Sequence, residues 1–164
     1  MLGKKMLEEL NNQINEEMAS AYIYQAMAAY FENEGWKGMA HWMDKQAGEE
    51  QVHARKFYDY ITARGGRVRF QAIQEPPFSY KSPLDAFNAA LKHEQHITAR
   101  IDLLVDLARK DKDNATEIML QWFVMEQVEE EEHATEIVEK LKKIKDHVGG
   151  LFQLDHDLGK RGGN

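Results

Sequence analysis

The chain has 164 residues, 43% of them hydrophobic and 30% charged, which predicts one compact domain over 1–164 with a substantial core. Its net charge of −7 argues against nucleic acid and towards cations as partners. There is no cysteine, hence no disulfide and no thiolate ligand, which suits a reducing cytoplasm, and no run of 18 apolar residues that would span a membrane.

Met1 to Leu10 mixes Lys4, Lys5, Glu8 and Glu9 with its apolar residues and is not expected to be a signal peptide. A first amphipathic helix follows from Leu7, Leu10, Ile14, Glu17, Ala21, Tyr24, Ala28 and Phe31, spaced three and four apart. After Asn33-Glu34-Gly35 a second seam runs Met39, Met43, Gln46, Glu50, His53, Phe57 and Tyr60. Residues 65–82 hold Gly65-Gly66 and Pro76-Pro77 and little helical pattern. A loop of that length suits a small domain only if it has a distance to cross, here the length of a bundle. A third seam, Leu84, Phe87, Leu91, Glu94, Thr98, Ile101, Val105 and Ala108, precedes a turn at Asp111 to Asn114. The fourth runs Leu120, Phe123, Gln127, Glu130, Ala134, Ile137, Leu141 and Ile144. Beyond Gly149-Gly150, 148–158 reads as a short fifth helix, followed by a tail over 159–164; its Leu151, Phe152, Leu154 and Leu158 are expected to serve subunit packing. The expected architecture is all-α: a four-helix bundle over about 5–145 with a long crossover between helices 2 and 3.

One spacing occurs twice. Glu17 precedes Glu50 by 33 residues and Glu94 precedes Gln127 by 33, and three residues on stand His53 and Glu130 respectively. Residues three apart share a helix face, so each half offers one carboxylate and then a pair aimed at the same point. Counted from turns near Gly35 and Lys112, all six lie about 22 to 27 Å into their helices, so within each hairpin they meet at one level. Burying several carboxylates costs a large part of a stability of about 5 to 15 kcal/mol. No Lys or Arg lies on the central stretches of the seams, which leaves protonation or bound cations. Oxygen donors with one imidazole and no sulfur suit iron or manganese, with zinc as competitor, and two metals about 3.5 to 4 Å apart bridged by Glu50 would satisfy most of the oxygens. A hydrogen-bonded polar core without metal is the alternative for this set.

Glu17, Glu50-x-x-His53, Glu94 and Gln127-x-x-Glu130, on four helices with a long second crossover, closely resemble the bacterial non-haem ferritins. The resemblance covers nearly the whole chain, including Lys92-His93-Glu94-Gln95, Leu120-Gln121-Trp122 and the short last helix. It implies a cytoplasmic ferroxidase with a ferritin-like fold. Fe(II) would be oxidised to Fe(III) by dioxygen (or peroxide), and ferric oxyhydroxide stored in a hollow shell of twenty-four subunits. By that resemblance Glu17, Glu50 and His53 are ligands of a first iron, and Glu50, Glu94 and Gln127 of a second. Glu49, Glu126 and Glu130 form a third iron site beside them. Tyr24 resembles the tyrosine next to the centre, where it would hydrogen-bond a ligand or supply an electron. Related bacterioferritins carry a haem-ligating methionine directly after the glutamate of the second helix; Gln51 stands there, so no haem is expected.

Simpler roles compete. Glu49 and Glu126 sit beside the seam as candidate surface carboxylates, Tyr24 as a core aromatic, and Trp122 and Phe123 as core. In the run Glu129 to Glu132 only Glu130 is expected to point inward. Glu130-x-x-His133 is also a Glu-x-x-His pair, but His133 falls one turn off the doubled spacing and is an outer or transit residue at most. His93 and His96 flank Glu94 off the seam. Two other classes compete as well: a rubrerythrin-like di-metal peroxidase, which usually carries a cysteine-ligated iron domain, and a structural bundle whose polar core only fixes register.

Overall fold

The computed structural model describes residues 1–162 and consists of five helices: α1 (Lys4–Glu34), α2 (Lys37–Ala63), α3 (Pro83–Lys110), α4 (Asn114–Ile144) and α5 (Val148–Leu158). There is no strand among the described residues.

Local chemistry sets where the helices stop and start. Gly35 ends α1 in the left-handed region, at φ 83°, and Trp36 N–H returns to Phe31 O at 2.9 Å, the pairing that satisfies the last carbonyls of a helix. Ser82 opens α3 by accepting Asp85 N–H at 3.1 Å, with Pro83 in the first turn, where its missing N–H costs nothing. Asp113 opens α4 in the same way from Thr116 N–H at 3.2 Å. Asp113 also binds Arg64 at 3.2 Å, which ties the α3–α4 turn to the end of α2.

Cross-helix pairs define the topology. Tyr30 meets Tyr80, Ser20 meets His93, Glu16 meets His96 and Glu9 meets Arg100, so α1 and α3 run antiparallel. Gln46 meets Glu130, His53 meets Glu126, Phe57 stacks on Phe123 and Tyr60 meets Thr116, so α2 and α4 are antiparallel too. Residues 64–82 must therefore carry the chain back along the bundle. Asn11 pins their start, its side chain bonding Arg67 O at 3.2 Å and Arg69 N at 2.6 Å. Tyr80 against Tyr30 fixes the far end, about 28 Å further along α1.

The interior is two apolar clusters. One gathers Tyr24, Phe31, Met39, Trp42, Met43, Phe87 and Leu141, and the other Leu10, Ile14, Phe57, Ile61, Ile101, Leu104, Leu120 and Phe123. Between them, at mid-length, Gln13, Glu17, Gln46, Glu50, His53, Glu94, Gln127 and Glu130 are buried. Some seam positions, among them Leu7, Ala28, Tyr60, Leu84, Leu91 and Ile144, are only half-buried.

Whatever its part in subunit packing, α5 also packs on α2 and touches α4 within the chain. Leu154 is buried in the first cluster and Leu151 and Leu158 lean on it. Val148 and Phe152 remain exposed, although Phe152 also meets Trp36 at 5.3 Å between ring centroids. Asp155 Oδ1 accepts Met39 N–H at 2.8 Å, so α5 caps the start of α2. The approach needs Gly38, because a Cβ there would lie 1.6 Å from Asp155 O. Replacing Gly38 with alanine should push α5 off α2 at a cost of about 1 to 3 kcal/mol. Amide hydrogen exchange checks this: α5 should lose protection while α1 to α4 keep theirs.

Candidate metal centre

Each helix of the bundle delivers its polar residues to the same layer. Glu17, Glu50, Glu94 and Glu130 are 1%, 2%, 1% and 4% exposed, and His53 is 3% exposed. Oxygens of Glu17 and Glu50 and a ring nitrogen of His53 lie within 4.8 Å of one another, an inner group of three donors from α1 and α2. A ring nitrogen of His53 and oxygens of Glu126 and Glu130 do the same, an outer group from α2 and α4. His53 belongs to both: Nδ1 is 3.1 Å from Glu50 Oε2 and Nε2 is 3.5 Å from Glu126 Oε1. Trp122 lies edge-on to its ring at 5.5 Å and Phe123 at 6.1 Å, which holds the imidazole plane.

Glu94 completes the layer from α3. It accepts from Tyr24 Oη at Oε1 and from Gln127 Nε2, 3.2 Å from Oε2. Gln13 Nε2 donates to Glu17 Oε1 at 2.9 Å, and Gln46 Nε2 donates to Glu130 Oε2 at 2.7 Å and Glu50 Oε1 at 3.4 Å. Besides the His53 imidazole, the hydrogen-bond partners of these carboxylates are thus amides and a phenol. They supply hydrogen bonds without cancelling the negative charge.

That charge is unfavourable as it stands. Burial, and then the charge of Glu50, push the Glu17 carboxyl well above its ordinary range. Burial and the nearby Glu94 do the same to Glu50. Burial raises Glu94 as well, and lifts Glu130 to about 7 with help from the Glu94 charge. The Tyr24 phenol is raised well above its usual value by burial and by Glu94, so it stays a neutral donor at physiological pH. Glu17 Oε2 is buried and no N–H or O–H donor reaches it. A buried oxygen without a donor, beside a second carboxylate and an imidazole, has the chemistry of a cation ligand.

The candidates beside the seam fall out differently. Glu126 reaches the outer group from a half-exposed position, whereas Glu49 lies outside that group and pairs with Arg161. Glu129 and Glu132 face solvent, and Glu131 binds Thr98 on α3. His133 is exposed. His96 pairs with Glu16 at 3.1 Å near the surface. His93 hydrogen-bonds Ser20 at 2.7 Å and meets the Tyr24 ring edge-on at 6.1 Å; burial, then the neighbouring His96, lower it to about 4 and keep it neutral. Phe123 is a core residue as expected, but Trp122 is 40% exposed and has the Lys56 ammonium 4.1 Å from its ring centroid.

Two amide contacts carry a signal in the sequence, because Gln13 and Gln46 each stand four residues before a glutamate of the layer, one turn away on the same face. Arg161 carries none. It lies beyond α5, and only the fold brings it to the rim of the centre.

Fold and layer together define the class of helical bundles that hold a carboxylate and histidine centre in their core. The ferritin-like domain profile matches residues 7–144, and the chain belongs to that family. It is 44% identical to a bacterial non-heme ferritin of Bacteroides fragilis over 161 residues, 98% of this chain and 100% of the relative. A bacterial non-heme ferritin of Staphylococcus aureus is 41% identical, with 98% and 97% covered. Among solved structures, an open-pore ferritin from the hyperthermophilic archaeon Archaeoglobus fulgidus superposes with a TM-score of 0.97 at 48% identity, covering 98% of this chain and 99% of that one.

The raised carboxyls set a pH dependence for the metal-free protein. The folded state holds the Glu130 proton more tightly than the unfolded chain, whose value is near 4.5, so this contribution to stability is complete below pH 4.5 and is lost as pH rises through about 7. It amounts to about 3 kcal/mol. Glu130→Gln should keep the hydrogen bonding and remove the titration. Melting curves of metal-free protein between pH 5 and 8 should fall more steeply for wild type than for Glu130→Gln, and equal slopes would contradict the raised value.

Proposed function

We propose that this protein is an iron-storage ferritin that oxidises Fe(II) with dioxygen (or peroxide) at a centre inside each subunit. Fe(II) is both the metal bound and the substrate. Glu17, Glu50 and His53 hold one iron. Glu50 bridges to a second, held by Glu94 and by Gln127 through its amide oxygen, which requires the Gln127 side chain to turn from its present donation to Glu94. Glu126 and Glu130, with Glu49 at the rim, take a third iron that feeds or drains the pair. The observation that carries this reading is the donor set itself: two overlapping groups of three within 4.8 Å, sharing one imidazole, with an unpartnered Glu17 oxygen among them.

The chemistry follows from charge. Fe(II) bound to carboxylates loses an electron more readily than aqueous Fe(II), because hard anionic oxygens favour the higher charge. Tyr24 fixes Glu94 and is placed to give an electron or a proton to the centre. The oxidised iron, hydrolysed to ferric oxyhydroxide, is stored in the cavity of a homo-oligomeric shell of twenty-four subunits. Large exposed apolar residues support association: Phe78, Leu103, Ile118, Met125, Val128 and Phe152 are each more than half exposed. No helix among the described residues is long and apolar enough to cross a membrane, and the absence of cysteine agrees with the cytoplasm as its place of work. At Gln51 the side chain is an amide, a poor haem ligand, and no haem is assigned.

Glu50→Ala and His53→Ala should each slow aerobic Fe(II) oxidation by at least about tenfold while the assembly elutes unchanged. Wild-type rates in both variants would remove the site. Titration of Fe(II) in air into wild type should leave far more than three iron atoms per subunit in the size-fractionated peak. A plateau at two or three would make the protein an oxidase without a store.

A further inference from the structure

The Gln127 amide nitrogen faces more acceptors than it has hydrogens. Nε2 lies 3.2 Å from Glu94 Oε2, 3.3 Å from the Glu94 backbone carbonyl and 3.5 Å from Thr98 Oγ1. An amide NH2 carries two hydrogens, and here all three acceptors stand on α3, within one turn of each other.

Thr98 is itself committed elsewhere. Its hydroxyl hydrogen goes to Glu131 Oε1 on α4, at 2.5 Å. A hydroxyl has one hydrogen, so towards Gln127 Thr98 offers lone pairs only and accepts an N–H. Glu131 stands one turn after Gln127 on α4, as Thr98 stands one turn after Glu94 on α3, and the hydrogen bonds from Gln127 to Thr98 and from Thr98 to Glu131 bridge the two helices.

The three acceptors differ in what a cation does to them. Glu94 Oε2 belongs to a carboxylate of the metal layer, where a cation competes with the N–H for the same lone pairs. The backbone carbonyl and Thr98 Oγ1 are not part of that carboxylate and keep theirs. When Glu94 turns to a cation, both N–H bonds of Gln127 still find acceptors on α3, and the carbonyl end of the amide is left as a ligand. Without the Thr98 hydroxyl, one N–H loses its partner at that moment. If instead the hydroxyl donated to Gln127, it would draw the amide oxygen to itself and turn towards the metal an NH2, which is no ligand.

We propose that Thr98 is a positioning residue, held by Glu131, that takes over a Gln127 N–H when Glu94 binds a cation and so presents the Gln127 oxygen to the second metal position. This rests on the reading of Gln127 as a ligand there. The metal-free protein does not need Thr98, because Glu94 Oε2 serves the second N–H. The loaded protein does.

The test is calorimetric titration of Zn(II), which binds without redox chemistry, into the metal-free assembled protein. Gln127→Leu identifies the second position as the binding class that it weakens. Thr98→Val, similar in shape but without the hydroxyl, should weaken that class by about tenfold and leave the other classes and the metal-free melting temperature as in wild type. Glu131→Ala, which frees the Thr98 hydrogen to approach the Gln127 oxygen, should weaken the same class. Thr98→Ser, which keeps the hydroxyl, should bind as wild type. A carboxylate presents an oxygen whichever way it faces, so in a Gln127→Glu background Thr98→Val should change the class by less than about twofold. A merely structural role for Thr98 would produce the same loss in both backgrounds, and that result overturns the proposal. So does wild-type binding in Thr98→Val or Glu131→Ala while Gln127→Leu is weakened, or a loss in Thr98→Ser as large as that in Thr98→Val. If Gln127→Leu weakens no class, the reading of Gln127 as a ligand fails and the proposal with it.

Discussion

Four buried glutamates in one layer are the constraint on which the rest of this structure depends. An uncompensated carboxylate in a protein core costs several kcal/mol, and here Glu17, Glu50, Glu94 and Glu130 all lie at mid-bundle with almost no exposure. The two apolar clusters on either side supply the stability that this layer consumes. The layer is also the reason for the long helices. A side chain can be shielded by about four helical turns of packed residues above and below only if the helices run well past it on both sides.

The way the layer is partnered separates a cation site from an internal salt bridge. Lysine or arginine opposite these glutamates would neutralise them and leave nothing for a metal to do. Instead Gln13, Gln46, Gln127 and Tyr24 donate single hydrogen bonds and orient the oxygens while leaving the negative charge in place. His53 links inner and outer groups because its two ring nitrogens point to different carboxylates, and the aromatic contacts of Trp122 and Phe123 keep it from turning. The Arg161 guanidinium reaches the rim, where it pairs with Glu49.

Local periodicity carried much of this arrangement. The seams of α1 to α4 and the breaks at Gly35 and Asp113 are written as alternating three and four residue steps and as helix caps, both local effects of the backbone. Marginal positions such as Leu7 and Ile144 read as core because periodicity has no information about where a bundle ends. Trp122 read as core for a related reason: its bulk suggests burial, but its position over His53 and beside Lys56 depends on another helix.

The sequence by itself determined an all-α bundle, the level at which its polar residues lie, and the identity of the donors, because helix pitch converts spacing along the chain into height and face. Only the tertiary structure decided which donors meet. That Glu126 closes a group with His53 and Glu130 while Glu49 does not, that Gln127 donates to Glu94, and that Leu154 joins the chain's own core are outcomes of how helices rotate against one another. The contact between Arg161 and Glu49 spans 112 residues of sequence, and no local pattern encodes it. Contacts of that kind arise from the docking of α5 on α2, where the backbone at Gly38 and the carboxylate of Asp155 set the angle at which the tail returns.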